Sequence, residues 1–379
     1  MIDRYIGLLA DRQRLEATER AIGTIVRPGD VVVDIGTGTG AFALFAARAG
    51  ARRVYAIESG RVVEVARAMV RANGAGDVIE VVEADATRWR PPEPVDVAIY
   101  EDFEDIGLGP ALAALVDHWR PLVKPSGRFI PQHLSVRFAP AEDAKEHRRV
   151  FPWPDSRAYD LDVTPLVHLA EHVRSNATSP PDGLLAPAQT CFDYTVGNEL
   201  SSSGETTVSF TASRAGRLHG IALWFDTLLA PSVTWSNAPA SEPTVWGNAF
   251  LHVAEAPDVA TGDRIQVRLA HAPQWSEQGW LWSWHVLVED AAGACKHSEE
   301  RSTFHAEPTS VEQLRKWSLD HPLQSDDQVQ VCRRIWELVD GRRTARDIGA
   351  TLAIEFPDLV PDALTVAEEV VRMVRKSRR

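Results

Sequence analysis

The stretch Val31-Val32-Val33-Asp34-Ile35-Gly36-Thr37-Gly38-Thr39-Gly40-Ala41 restricts the fold of this chain more than any other. A β-branched run ends at an acid, and a glycine-dense turn then opens an alanine-rich helix. Glycine permits a tight turn after a strand and a close backbone approach to a ligand, while free N–H groups at a helix start suit a carboxylate or phosphate. Arg53–Ile57 reads as a second strand closed by Glu58, eighteen residues beyond Gly40. An acid there can accept from both ribose hydroxyls of a nucleoside. An adenosine-containing cofactor is therefore expected.

The following segments continue the pattern. Val78–Val82 reads as a third strand and leads into Glu83-Ala84-Asp85-Ala86, where Asp85, beside Ala86, can accept from an adenine amino group. Val95–Tyr100 reads as a fourth strand and runs into Glu101-Asp102-Phe103-Glu104-Asp105. Helical patterns at Phe42–Ala49, Val62–Asn73 and Pro110–Trp119 alternate with these strands, and Gly127–Ile130 supplies another strand. Such alternation implies a parallel α/β sheet covered on both faces, with the ligand at the carboxyl ends of the strands. Asp34, Glu58, Asp85 and Glu101 all fall at such ends. Residues 1–26 read as one helix in front of this domain.

From about His133 the pattern changes to short strands separated by turns: Leu134–Phe138, Ala188–Val196, Thr206–Ala212, Arg217–Phe225, Val245–Val253, Arg264–Leu269 and Trp282–Val288. This predicts an antiparallel sandwich or barrel, with an excursion over Arg157–Val173. Trp280, Trp282 and Trp284 share one strand face, which reads as core rather than as a cation-binding wall. Residues 296–324 read as a linker. Helical patterns then return at Val329–Val339, at Thr344–Phe356 behind a threonine cap, and from Asp362, as a small three-helix or winged-helix module.

A chain of 379 residues is expected to hold two or three domains. Its net charge of −13 lies within residues 1–324, since residues 325–379 hold ten basic and ten acidic side chains. An acidic body disfavours nucleic acid and favours cationic partners. No apolar run approaches membrane-spanning length, and a charged helix rather than a signal peptide follows Met1. Cys191, Cys295 and Cys332 give neither a disulfide framework nor a zinc pattern, and the histidines show no metal-ligand spacing, so a cytoplasmic setting and no metal are expected.

Gly36-x-Gly38-x-x-Ala41 also satisfies a loose dinucleotide fingerprint, which leaves a nicotinamide or flavin enzyme open. With Asp34 at the strand end and a third glycine at Gly40, however, the stretch resembles the Asp-x-Gly-x-Gly-x-Gly form of class I methyltransferases that use S-adenosylmethionine. From about Tyr5 to Glu289 the chain resembles the protein arginine methyltransferases: in Val32–Glu58, in Gly127-Arg128-Phe129-Ile130-Pro131, in Leu218–Phe225 with Thr234-Trp235-Ser236, and in Thr244-Val245-Trp246. The resemblance implies a Rossmann-like domain over residues 1–132 and a β-barrel substrate domain over 133–295. It also implies a dimerisation arm within 145–175, near Phe151–Asp162, and hence a homodimer. By position it makes Arg20 the arginine that grips the cofactor carboxylate, and it puts Tyr5 and Trp246 on the substrate side. Glu101 matches the first of two guanidinium-holding glutamates, whereas the second position falls at Pro110, and Val245 replaces a histidine.

Residues 325–379, with Ile335-Trp336-Glu337-Leu338-Val339-Asp340-Gly341-Arg342-Arg343-Thr344, resemble the small peptide-binding domain of pyrroloquinoline quinone biosynthesis and other ribosomal peptide pathways. That implies a leader-peptide partner. The expected activity is N-methylation of an amine or guanidine of a peptide or protein, in its sharper form the tailoring of a ribosomally made peptide. Glu101 would hold or deprotonate the nucleophile, with Asp102 or Glu104 assisting. Methylation of a free amino acid, small molecule or oxygen nucleophile is the alternative within the enzyme class, and a non-catalytic peptide-binding scaffold is the alternative outside it.

Overall fold

A computed structural model describes residues 2–103, 106–107, 110–153, 155–198, 203–242, 244–273, 280–306, 327–357 and 359–360, with positions 367 and 370. The chain divides into two compact units, residues 1–308 and 309–379. Among the described residues, no helix is long and apolar enough to cross a membrane.

Residues 1–26 form two helices, α1 (Ile2–Ala10) and α2 (Arg12–Ile25), rather than the single one expected. The break has a local cause: the Asp11 side chain accepts from Arg14 N at 3.2 Å and caps α2. Five parallel strands follow: β1 (Val31–Ile35), β2 (Arg53–Glu58), β3 (Ile79–Glu83), β4 (Val95–Tyr100) and β5 (Val123–Ile130), in the order β3-β2-β1-β4-β5. The helices α3 (Ala41–Arg48), α4 (Val63–Ala72) and α5 (Pro110–Trp119) connect them. β1 and β4 are central and β-branched, and Val31–Val33, Ile35, Val95, Val97 and Ile99 are all buried. The order turns back between β1 and β4, so a crevice opens at their carboxyl ends.

The second part of this unit is antiparallel. One sheet runs β10 (Gln189–Thr195), β6 (His133–Ala141), β13 (Gly220–Ala230), β15 (Asn248–His252), β9 (Arg174–Ala177), with β14 (Val233–Ser236) beside β13. A second runs β11 (Gly204–Thr211), β17 (Arg264–Pro273), β18 (Trp280–Glu289), β19 (Cys295–Ser302). Among the described residues these remain two separate sheets, so the expected sandwich or barrel takes the form of a two-sheet, barrel-like arrangement rather than a closed barrel. Two short pairs, β12 (Gly216–Arg217) with β16 (Asp258–Val259) and β7 (Arg157–Ala158) with β8 (Leu161–Asp162), complete the strands.

Trp280, Trp282 and Trp284 alternate along β18 and are buried between the sheets as core. Residues 296–302, read as linker, belong instead to β19, which pairs with β18 from Ser283 to Glu289. The region expected to act as an arm holds α6 (Ala144–Val150), the β7–β8 hairpin and α7 (Thr164–Ala170). In the second unit, α8 (Asp327–Leu338) and α9 (Ala345–Glu355) pack through Val331, Ile335, Leu338, Ile348 and Leu352. A capping box between Thr344 and Asp347 starts α9. No strand occurs among the described residues of this unit.

Candidate active site

The crevice holds a cavity of about 300 Å³ built from three layers of local structure. The first is the glycine turn. Gly36, Gly38 and Gly40 all have positive φ, and at Gly38 (φ 55°) an added Cβ would lie 3.3 Å from the Tyr5 ring. Gly40 does not line the cavity; it is the left-handed N-cap of α3, packed on Ala66. Asp34, wholly buried, accepts from Thr37 Oγ1 at 2.5 Å and Ala43 N at 3.0 Å, tying the turn to the helix start. Burial pushes its carboxyl up to about 6, against the pull of those two donors.

The second layer is Glu58, at the end of β2. One of its oxygens accepts from Gly38 N at 3.1 Å and the other from Gly60 N at 2.6 Å. The carboxylate is thus aimed at the turn with lone pairs to spare. Ala86 lines the same cavity, but Asp85 does not. Its carboxylate bends back to Thr87, accepting from N at 2.9 Å and Oγ1 at 2.6 Å, and these bonds hold its carboxyl below the usual range.

The third layer comes from α1, α2 and the end of β4. Glu101 is almost fully buried and receives both forks of Arg14: Nε donates to Oε1 at 2.8 Å, and the terminal nitrogen donates to Oε2. Burial pushes the Glu101 carboxyl up, while the Arg14 guanidinium opposes that shift. Arg14 also donates to Leu8 O at 2.9 Å, locking α1 to α2. Asp102 pairs with Arg4 at 3.6 Å, and the Arg4 guanidinium lies 5.9 Å from the centre of the Trp246 ring. The Trp246 indole N–H is buried beside Glu101 with no partner at hydrogen-bond geometry.

The structure therefore gathers Tyr5, Asp34, Gly36, Gly38, Glu58, Ala86, Glu101, Asp102 and Trp246 around one cavity. Arg20 is a correction. It is exposed on α2, and Arg14 occupies the cavity instead. Six helical residues turn about 600°, so the two arginines point in different directions. The position that the resemblance implies falls six residues beyond the side chain that enters the cavity. Arg4, Phe42 and Tyr100 also line the cavity without having been singled out. Glu104 lies outside the described residues. Pro110, at the position implied for a second glutamate, is the first residue of α5.

The residues fit the cofactor that the glycine turn implies. Glu58 would hold a ribose, Arg14 a carboxylate, and the Gly38 backbone leaves room for close approach. When bound, S-adenosylmethionine supplies a methyl group on a sulfonium. The chain's own work would then be to align a nucleophile, exclude water beneath α1, and hold a proton or cation at the Glu101 carboxylate.

Comparison with known proteins agrees with this geometry. Residues 32–127 match a family model described as a methyltransferase domain, and residues 135–279 match the arginine methyltransferase oligomerization subdomain. An arginine N(omega)-methyltransferase of Streptomyces achromogenes subsp. streptozoticus is 28% identical over 72% of this chain and 76% of its own length. A probable histone-arginine methyltransferase of Arabidopsis thaliana is 29% identical over 65% of this chain, which spans only about half (49%) of that relative. The fold is shared with a chain of the Trypanosoma brucei PRMT1 enzyme-prozyme heterotetrameric complex with AdoHcy, at a TM-score of 0.73 and 22% identity, covering 79% of this chain and 97% of that one. The chain is an S-adenosylmethionine-dependent methyltransferase of class I, similar to the arginine methyltransferases.

Proposed function

We propose that the enzyme methylates a guanidine nitrogen of an arginine carried by a peptide or protein. The observation that carries this reading is the buried Glu101 carboxylate, which already receives a planar guanidinium, that of Arg14, through two parallel bonds. An acceptor guanidinium would use the same fork once the cofactor carboxylate draws Arg14 away. Trp246 and Asp102 would flank it, with Tyr5 closing the cavity from α1. Glu58, Gly36 and Gly38 would hold the nucleoside. The relatives named for arginine methylation support the guanidine over other amines.

Two finer proposals concern assembly. Tyr159 is 98% exposed and Leu161 66% exposed on the β7–β8 hairpin, and Leu166 lies exposed on α7, which supports this segment as a homodimer arm. The unit at 309–379 exposes Trp336 on α8 and Ile354 on α9, which supports it as the holder of a leader peptide of a ribosomally made precursor.

Intact-mass analysis tests the reading: arginine-containing peptides incubated with full-length enzyme and S-adenosylmethionine should gain methyl groups on the guanidine. Transfer only to oxygen, or no transfer, would refute it. Deleting residues 309–379 should raise KM for a full precursor while sparing a leaderless fragment; equal effects would remove the leader proposal.

A further inference from the structure

We propose that a second cavity, on the antiparallel part of unit 1, is a subsite for a cationic side chain flanking the methylated residue of a peptide acceptor. This rests on the peptide reading above. The cavity measures about 210 Å³, and Ser179, Asn237, Glu242, Thr244 and Asn248 are among the residues that line it. It is separate from the cofactor crevice, yet the same turn bounds both. Trp246 lines the crevice, whereas Thr244 and Gly247 line the second cavity. Cα atoms two residues apart lie within about 7.6 Å, roughly the reach of two residues of an extended peptide. A peptide with its target residue beside Trp246 can therefore place a neighbouring side chain beside Thr244.

The lining sets the sign of the ligand. Ser179 is 2% exposed, and its hydroxyl oxygen has no hydrogen-bond partner. Its backbone N–H is already committed to Asn248 Oδ1 at 3.2 Å. The side-chain amide of Asn237 donates to Gly247 O at 2.5 Å, and that of Asn248 donates to Asn237 O. One N–H of each amide is thus spent on a protein carbonyl. What remains for a guest is the Ser179 hydroxyl, which can donate or accept, and the exposed Glu242 carboxylate, which can only accept. No lysine or arginine is among the described lining residues. A buried hydroxyl free to accept and a carboxylate at the rim, with no basic side chain among the described lining residues, together suit an ammonium or guanidinium.

The turn is also held rigidly enough to set a register. Asn176 donates to Trp246 O at 2.5 Å, and Val245 N donates to Asp11 Oδ2 at 3.2 Å.

The test uses the full-length enzyme, S-adenosylmethionine, and blocked peptides that hold one arginine and a single lysine moved through the flanking positions, with norleucine controls. In one register lysine should lower KM roughly tenfold relative to norleucine, as expected for one charge-assisted hydrogen bond. Glu242→Gln should erase that preference while leaving kcat and the affinity for S-adenosylhomocysteine unchanged. Methylation without any lysine preference, or a preference untouched by Glu242→Gln, would overturn the subsite. If no guanidine is methylated, the proposed function fails. Calorimetry of the same peptides on S-adenosylhomocysteine-loaded enzyme then decides the subsite: lysine-dependent binding lost in Glu242→Gln sustains it, and its absence overturns it.

Discussion

Arg14 and Glu101 meet side by side beneath α1, with Nε of the arginine 2.8 Å from one carboxylate oxygen and its terminal nitrogen bonded to the other. Both side chains are buried, so removing one strands the other as an uncompensated charge. Arg14→Ala should destabilise unit 1 by roughly 3 kcal/mol in denaturant unfolding. In a Glu101→Gln background the same change should cost clearly less. Equal costs in the two backgrounds would mean that the pair is not coupled.

Glu101→Gln keeps the shape of the side chain but removes its charge. Turnover should fall by at least ~10²-fold, the usual range for loss of a positioned proton-handling group. Affinity for S-adenosylhomocysteine, measured by calorimetry, should change little. Full activity would take Glu101 out of the chemistry.

Glu58→Ala removes a carboxylate that both faces the cavity and fastens Gly38 N and Gly60 N. Cofactor binding should be lost in calorimetry, while the fold, anchored by the buried strands, should persist by circular dichroism. Unaltered affinity would exclude Glu58 from the ribose site.

His219 and His252, both buried, are pushed down to about 4 by desolvation. In the unfolded chain they titrate near their usual value of about 6.5. Above that value neither state is charged and the pair contributes nothing to pH dependence. As pH falls from about 6.5 toward 4, only the unfolded chain gains protons, so stability drops, by up to about 1.4 kcal/mol per pH unit for each imidazole. The carboxyl of Asp34 acts in the opposite sense over part of this range, because its folded value is raised. The comparison is therefore between wild type and a His219→Gln/His252→Gln variant, whose melting temperature should decline less steeply with acid. Parallel pH curves would contradict this assignment.

Gly247 has φ 60°, and an added Cβ would stand 2.4 Å from Asn176 Oδ1 and 2.7 Å from Ala177 O. Gly247→Ala must therefore shift the turn that carries Trp246. KM for the acceptor should rise while the affinity for S-adenosylhomocysteine holds. A matching loss of both would point to general unfolding instead.

The parallel half of unit 1 was legible because its constraints are local: a β-branched run, a glycine turn and an acid at the strand end lie close together in sequence. Glu58 and Glu101 followed from the same rule, and both line the crevice. Arg14 is not found, because the resemblance, placed by position along the helix, points to Arg20 six residues further on. Asp85 falls at the right strand end but turns one oxygen back to Thr87, which donates to it twice. β19 was taken for linker because its sequence is polar on both faces. Part of that polarity is met by residues distant in sequence, Lys296 by Asp263 at 2.6 Å and Arg301 by Glu171 at 3.2 Å. Only the folded neighbours disclose such partners.

The position of β19 gives its charges a further consequence. It is the last strand of its sheet, and one edge of that sheet would otherwise present a row of open backbone groups. Lys296 and Glu300, exposed along this strand, make that border a poor template for an incoming strand from another molecule, since any newcomer must desolvate or displace them. Replacing them with valine or threonine would leave the catalytic crevice untouched, yet it would turn a soluble border into one that invites fibrous or amorphous self-association.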